Sequence, residues 1–227
     1  LHEDCAQVVA KMSLSEQIGQ LLMVGVSSRG ISASEKSIVE DTRAGSIILL
    51  GSTTAGASAV RRVVGDVHAA TLSPEGVKVM LAADQEGGLV QRLKGPGFAR
   101  IPSARVQAEQ SNAALRRDAY DWGRQLKEAG INANLAPVAD VVPMSMVWVN
   151  KPIGQLRRGY GPSPKRVAAK VTAFTEGMDR AGVATAVKHF PGLGRVRGNT
   201  DFVSRVVDTK TTRDDAALAG FSAAIDA

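Results

Sequence analysis

The chain carries one cysteine, Cys5, which excludes an internal disulfide and any cysteine-based metal cluster. Aromatic residues are scarce at 4%, which disfavours an all-β sandwich rich in Tyr and Trp. No run of about 18 apolar residues exists, so no membrane-spanning segment is expected. The first residues lack the basic-then-apolar order of a secretory signal. Leu1 to Cys5 has the outline of a lipoprotein cleavage site, but Asp4 stands where a small residue is required. There is no initiator Met, so a processed or trimmed chain is expected, and an export signal could have been lost with the leader. Basic residues exceed acidic ones, 28 against 22, for a net charge of +6. They are scattered and form no stripe or recognised module, so nucleic acid is not an expected partner. Mild basicity suits polyanionic surroundings such as a cell wall, so a secreted or envelope-associated location is expected, with the cytoplasm as the alternative.

What is present is an alternation of short apolar runs and longer segments of helical period, in an ordinary globular composition of 44% hydrophobic and 22% charged residues. No linker, repeat or low-complexity stretch divides it, so residues 1–227 are expected to form one domain. Ser13-Leu14-Ser15-Glu16 has capping-box spacing for a short helix leading into Leu21 to Gly25, the first strand candidate. Ala44 to Gly51, Val77 to Asp84, Ile131 to Val138 and Ala184 to His189 are the other four. Helical stretches fall between them, among them Ser58 to Ala70, Ser111 to Ala129, and one whose Val167, Val171, Phe174 and Met178 share a core-facing side. Strands written as unbroken apolar runs are expected to be buried on both faces. No Gly-rich phosphate fingerprint follows the first strand, so a closed (β/α)8 barrel is favoured over an open doubly wound sheet. A barrel needs eight strands and five are visible, so the fold expected is an α/β TIM barrel incomplete at its C-terminus, ending in a helix over Ala216 to Ala227.

Chemistry in such folds gathers at the C-terminal ends of strands, which makes polar residues after apolar runs informative. The third run ends in Asp84-Gln85-Glu86-Gly87-Gly88, followed by Gln91-Arg92; these can bind hydroxyls through charge-assisted bonds or form a solvated acidic turn. The fourth ends at Asp140, which reads equally as a loop or helix-capping residue. The fifth ends in Lys188-His189-Phe190-Pro191-Gly192-Leu193-Gly194, where adjacent Lys and His offer donors and the Pro-Gly-x-Gly bend lets a loop fold over a ring. His2, near the terminus, and His68, on a helix, read as structural. No metal-ligand spacing is present, and no cofactor is expected.

Four stretches carry a resemblance: Ile18 to Gly25, Asp84 to Arg92, Ala129 to Val141, and Val187 to Gly194. Together and in order they resemble glycoside hydrolase family 3, in particular its β-N-acetylhexosaminidase branch, often called NagZ-like. The resemblance implies a retaining hydrolase that removes terminal β-linked N-acetylglucosamine, with peptidoglycan fragments as the expected source, without metal or cofactor. It also implies that Asp84 binds the hydroxyls of the non-reducing sugar, with Arg92, Lys188 and His189 around the same ring. A further arginine is implied after the fourth strand; Arg158 is chosen by its spacing from Tyr160, and Arg157 is the alternative.

The stretch from Ile153 to Tyr160 is two residues longer than the family pattern, and two further departures weigh more. Many members carry Asp-Ser-His after the fifth strand, the histidine acting as acid/base; here Asn199-Thr200-Asp201 stands at that spacing. Asp201 is therefore the expected acid, or else a loop-ordering residue. An aspartate, with an ordinary pKa of about 3.9, needs burial or a second carboxylate to work near neutrality, and Arg195 or Arg197 nearby would oppose that. The second departure is the family's nucleophilic aspartate, which matches no residue here, so this chain alone is expected to bind sugar poorly and not turn over. The alternatives are a non-catalytic sugar-binding remnant and a β-glucosidase of the same family.

Overall fold

A computed structural model describes residues 5–227; His2 and the Leu1 to Asp4 part of the lipoprotein-like stretch lie outside the described residues. The elements run α1 (Cys5–Lys11), α2 (Leu14–Gln20), β1 (Met23–Ser27), α3 (Ala33–Thr42), β2 (Ser46–Leu50), α4 (Ala57–Ala70), β3 (Met80–Ala83), β4 (Gln85–Gly87) and β5 (Val90–Gln91). Then come α5 (Ala104–Gln107), α6 (Asn112–Glu128), β6 (Ala133–Asn134), α7 (Pro164–Arg180), β7 (Ala184–Thr185) and α8 (Ala219–Ile225).

Five strands form one parallel sheet in the order β1-β2-β3-β6-β7. Chain order and spatial order coincide, with no reversal of the kind that marks a doubly wound sheet. Burial leads to the same conclusion. In β2, Ile47 and Leu49 are fully buried, whereas Leu50 is 50% exposed, and Met23 and Met80 at the strand starts are exposed too. The expectation of strands buried on both faces is therefore corrected. Helices cover the face that carries Ile47, Leu49 and Leu81, and the opposite face is left largely open. A one-sided helical layer on a singly wound parallel sheet is the layout of a barrel wall.

The covered face holds the core. Val167, Val171, Phe174 and Met178 of α7 are all fully buried, as their helical spacing predicts. Phe174 meets Trp122 of α6 with ring centroids 6.2 Å apart, and Leu115, Ala119 and Leu126 complete the α6 side. The capping box expected at Ser13 is present: Ser13 Oγ accepts from Glu16 N, and Glu16 Oε2 accepts from Ser13 N. A second box, Ser32 with Glu35, opens α3, a helix not anticipated although its spacing is identical. Glu35 also accepts the backbone N–H of Ser27 at 2.8 Å, tying the end of β1 to the helix that follows. Ser32→Ala is expected to cost about 1 kcal/mol, measured as a lower urea midpoint with unchanged slope.

Strands four and five are shorter than the apolar runs suggest. Pro137 has no N–H to give a ladder, so regular pairing of β6 stops at Asn134. Beyond it, Ala139 N donates to Lys188 O at 2.7 Å and Lys188 N donates to Pro137 O at 3.1 Å. These bonds carry Asp140 and His189 side by side at the strand ends.

Candidate active site

Asp84 directly follows β3, and the chain then turns into the β4–β5 hairpin, where the sequence suggested an acidic turn. Gly87 makes this possible. Its φ is +108°, and a Cβ there would lie 2.3 Å from Pro102 O. The hairpin is held by Gln85, whose side chain exchanges two bonds with the backbone of Leu93, at 2.8 and 3.0 Å. Gln107 supports Glu86 from below: its Nε2 donates to Glu86 O, and its Oε1 accepts from the buried Tyr160 hydroxyl.

Glu86 is no solvated turn residue. Its side chain is 5% exposed, and it takes Arg158 as a bidentate partner, with Nε to Oε2 at 2.9 Å and Nη2 to Oε1 at 2.7 Å. Lys188 Nζ lies 2.7 Å from Glu86 Oε1 and 2.5 Å from Asp84 Oδ1. Burial pushes the Glu86 carboxyl up, but the Arg158 hydrogen bonds and the Lys188 and Arg158 charges outweigh it, so it sits below the usual carboxylate range. Arg158 also gives Nη1 to Pro152 O and faces His189 Nε2 across 3.1 Å. His189 Nδ1 lies 2.6 Å from Oδ2 of Asp140, which is completely buried. Both ring nitrogens of His189 are thus engaged by protein, so the donor to a ligand hydroxyl expected from this histidine is already committed.

A cleft of about 640 Å³ opens over this cluster, lined among others by Asp84, Arg92, Arg158, Lys188, His189 and Asp201. The residues expected from strand ends and spacing therefore meet at one place. Arg157 does not join them; its side chain lines two neighbouring cavities. Arg92 makes no ion pair among the described residues. Asp201 is exposed at the rim, its N–H accepted by Asn199 Oδ1 at 3.0 Å. Arg195, a possible opponent of Asp201, is turned away and forked onto Asp215.

Three residues of the site went unassigned in the sequence. Glu86 carried only the general reading of its strand-end group, hydroxyl binding or an acidic turn, and Asp140 that of a loop or capping residue. Asn150 carried no expectation at all. It is fully buried, with Nδ2 donating to Leu193 O and Val196 O and Oδ1 accepting from Ile153 N and Gly154 N. Gly194 packs against Val141 so closely that a Cβ would sit 1.9 Å from its carbonyl oxygen, which explains the second glycine of the Pro-Gly-x-Gly bend.

Residues 13–227 match the Glycosyl hydrolase family 3 N terminal domain. The chain belongs to glycosyl hydrolase family 3. Among family 3 relatives, it is 35% identical over 198 residues to the beta-hexosaminidase LpqI of Mycobacterium tuberculosis, covering 86% of this chain and 47% of that one. It is 33% identical over 177 residues to a beta-hexosaminidase of Methylococcus capsulatus, covering 76% and 49%. A crystal structure of a beta-N-acetylhexosaminidase from Beutenbergia cavernae superposes with a TM-score of 0.92 at 43% identity, covering 96% of this chain and 65% of that one. The chain spans about half the length of the curated relatives it matches.

Proposed function

We propose that the full-length protein is a retaining glycosidase that removes terminal β-linked N-acetylglucosamine, with peptidoglycan fragments of the cell envelope as its natural source. In this reading, sequence outside residues 1–227 completes an eight-stranded barrel and supplies the attacking aspartate. The observation that carries the proposal is the convergence of Asp84, Lys188, Arg158 and Arg92 on one cleft at the strand ends. A sugar ring offers hydroxyls that both donate and accept, and an ionised carboxylate beside fixed cations binds such groups with orientation. The beta-hexosaminidase names of the relatives support the choice of sugar.

The missing aspartate attacks the anomeric carbon while Asp201, which is exposed and so relies on that aspartate as its second carboxylate, protonates the leaving oxygen. Asp201 then takes a proton from the water that releases the sugar. The two carboxyl groups should stand about 5–5.5 Å apart in the closed complex.

In the full-length enzyme, Asp201→Ala is expected to slow poor leaving groups by about 100-fold and to spare activated aryl glycosides, measured as kcat/KM across a leaving-group series. Equal losses throughout the series would remove Asp201 from the acid's role. Faster cleavage of an aryl glucoside than of the matching N-acetylglucosaminide would overturn the substrate assignment.

A further inference from the structure

The proposed mechanism gives no task to Asp140, although it is the one completely buried carboxylate at the cleft. It accepts the Leu193 backbone N–H at Oδ1, 2.6 Å away, and faces His189 Nδ1 through Oδ2, also at 2.6 Å. On the other side of the ring, His189 Nε2 faces Arg158 Nη2 at 3.1 Å. A guanidinium has donors and no acceptor, so this contact is a hydrogen bond only when Nε2 is bare. An ionised carboxylate has acceptors and no donor, so its contact requires the proton on Nδ1. Both neighbours select the same form of the ring.

We propose that Asp140 is a positioning residue that holds His189 in its Nδ1–H tautomer, so that the ring receives a hydrogen bond from Arg158 and thereby orients the guanidinium over the cleft. The consequence for ligand binding rests on reading the cleft as a sugar site; the tautomer does not.

The donor inventory shows what this arrangement achieves. Of the five N–H groups of Arg158, Nε–H and one Nη2–H go to Glu86, the other Nη2–H to His189, and one Nη1–H to Pro152 O. One Nη1–H remains. Lys188 gives one N–H to Asp84 and one to Glu86, and one remains. The cleft therefore presents a few fixed donors beside the second oxygen of Asp84. With the opposite tautomer, Nε2–H and Nη2–H would point at each other, and Arg158 would have to leave its fork on Glu86 or give up its aim.

Asp140→Asn separates this role from simple packing. Its amide has one acceptor oxygen where the carboxylate has two. If that oxygen keeps the Leu193 N–H, the NH2 group faces Nδ1 and requires it bare, which moves the ring proton to Nε2.

Long-range proton–nitrogen correlation spectra of the 15N-labelled full-length protein, recorded at mildly alkaline pH, report which ring nitrogen carries the proton. The His189 signals are assigned by their loss in H189Q. The expected result is Nδ1–H in the native chain and Nε2–H in folded D140N, with at least a several-fold weaker response to added N-acetylglucosamine in the variant. An Nε2–H ring in the native chain, or an unchanged tautomer in folded D140N, overturns the proposal. Should D140N not fold, the native spectrum alone decides. If N-acetylglucosamine fails to perturb the native full-length protein at all, the reading of the cleft as a sugar site falls while the tautomer assignment stands.

Discussion

Glu86→Ala is expected to destabilise the folded chain by about 3–5 kcal/mol. The change removes no large volume. What it leaves behind is costly, because Arg158, 11% exposed, and Lys188, 18% exposed, would keep their charges with no carboxylate between them. Asp84 could still hold Lys188, but nothing would replace the two-pronged contact to Arg158. Thermal or urea unfolding of the two proteins measures the difference; a loss under 1 kcal/mol would mean that the guanidinium finds water or another acceptor at little cost.

The same pair has a pH signature. Since the folded pKa of Glu86 is depressed, its ionisation favours the folded state above the unfolded value of about 4.5, and that contribution is lost as pH falls through the lowered folded value. The stability gap between native protein and E86Q should therefore be widest at neutral pH and close on acidification below about 4.5.

For the full-length enzyme, Asp84→Ala is expected to lower kcat/KM about a thousand-fold, or roughly 4 kcal/mol of transition-state stabilisation. That size corresponds to two charge-assisted hydrogen bonds of about 2 kcal/mol each to adjacent sugar hydroxyls. The fold should tolerate the change, since Lys188 retains Glu86 and the Asp84 backbone carbonyl still receives Arg92 N–H. A melting temperature within a few degrees of the native value, together with the kinetic collapse, would separate a binding role from a structural one. A loss under ten-fold would remove Asp84 from the sugar contacts.

Much of this arrangement is legible in the sequence wherever the signal is local. The α7 stripe from Val167 to Met178, the Ser13 capping box and the polar residues after apolar runs all report on neighbours within a few positions. The Ser32 box has the same local spacing. The faces of the strands were not legible, because a run such as Ser46-Ile47-Ile48-Leu49-Leu50 does not reveal that Ile47 and Leu49 meet helices while Leu50 does not. Nor were the charge partnerships. Glu86 and Arg158 lie 72 residues apart, and Asp140 and His189 lie 49 apart. No spacing rule links them: parallel pairing of Val138 with Lys188 sets Asp140 beside His189, whereas Glu86 on the hairpin meets Arg158 from the irregular stretch before α7.

Asn150 has a mechanical consequence. By holding the carbonyls of Leu193 and Val196 with one end of its amide and the N–H groups of Ile153 and Gly154 with the other, it rivets the stretch that precedes Asp201 to the turn that precedes Arg158. Two segments about forty residues apart in sequence are thereby joined through one buried amide, so its loss would leave four backbone groups of both without their partner.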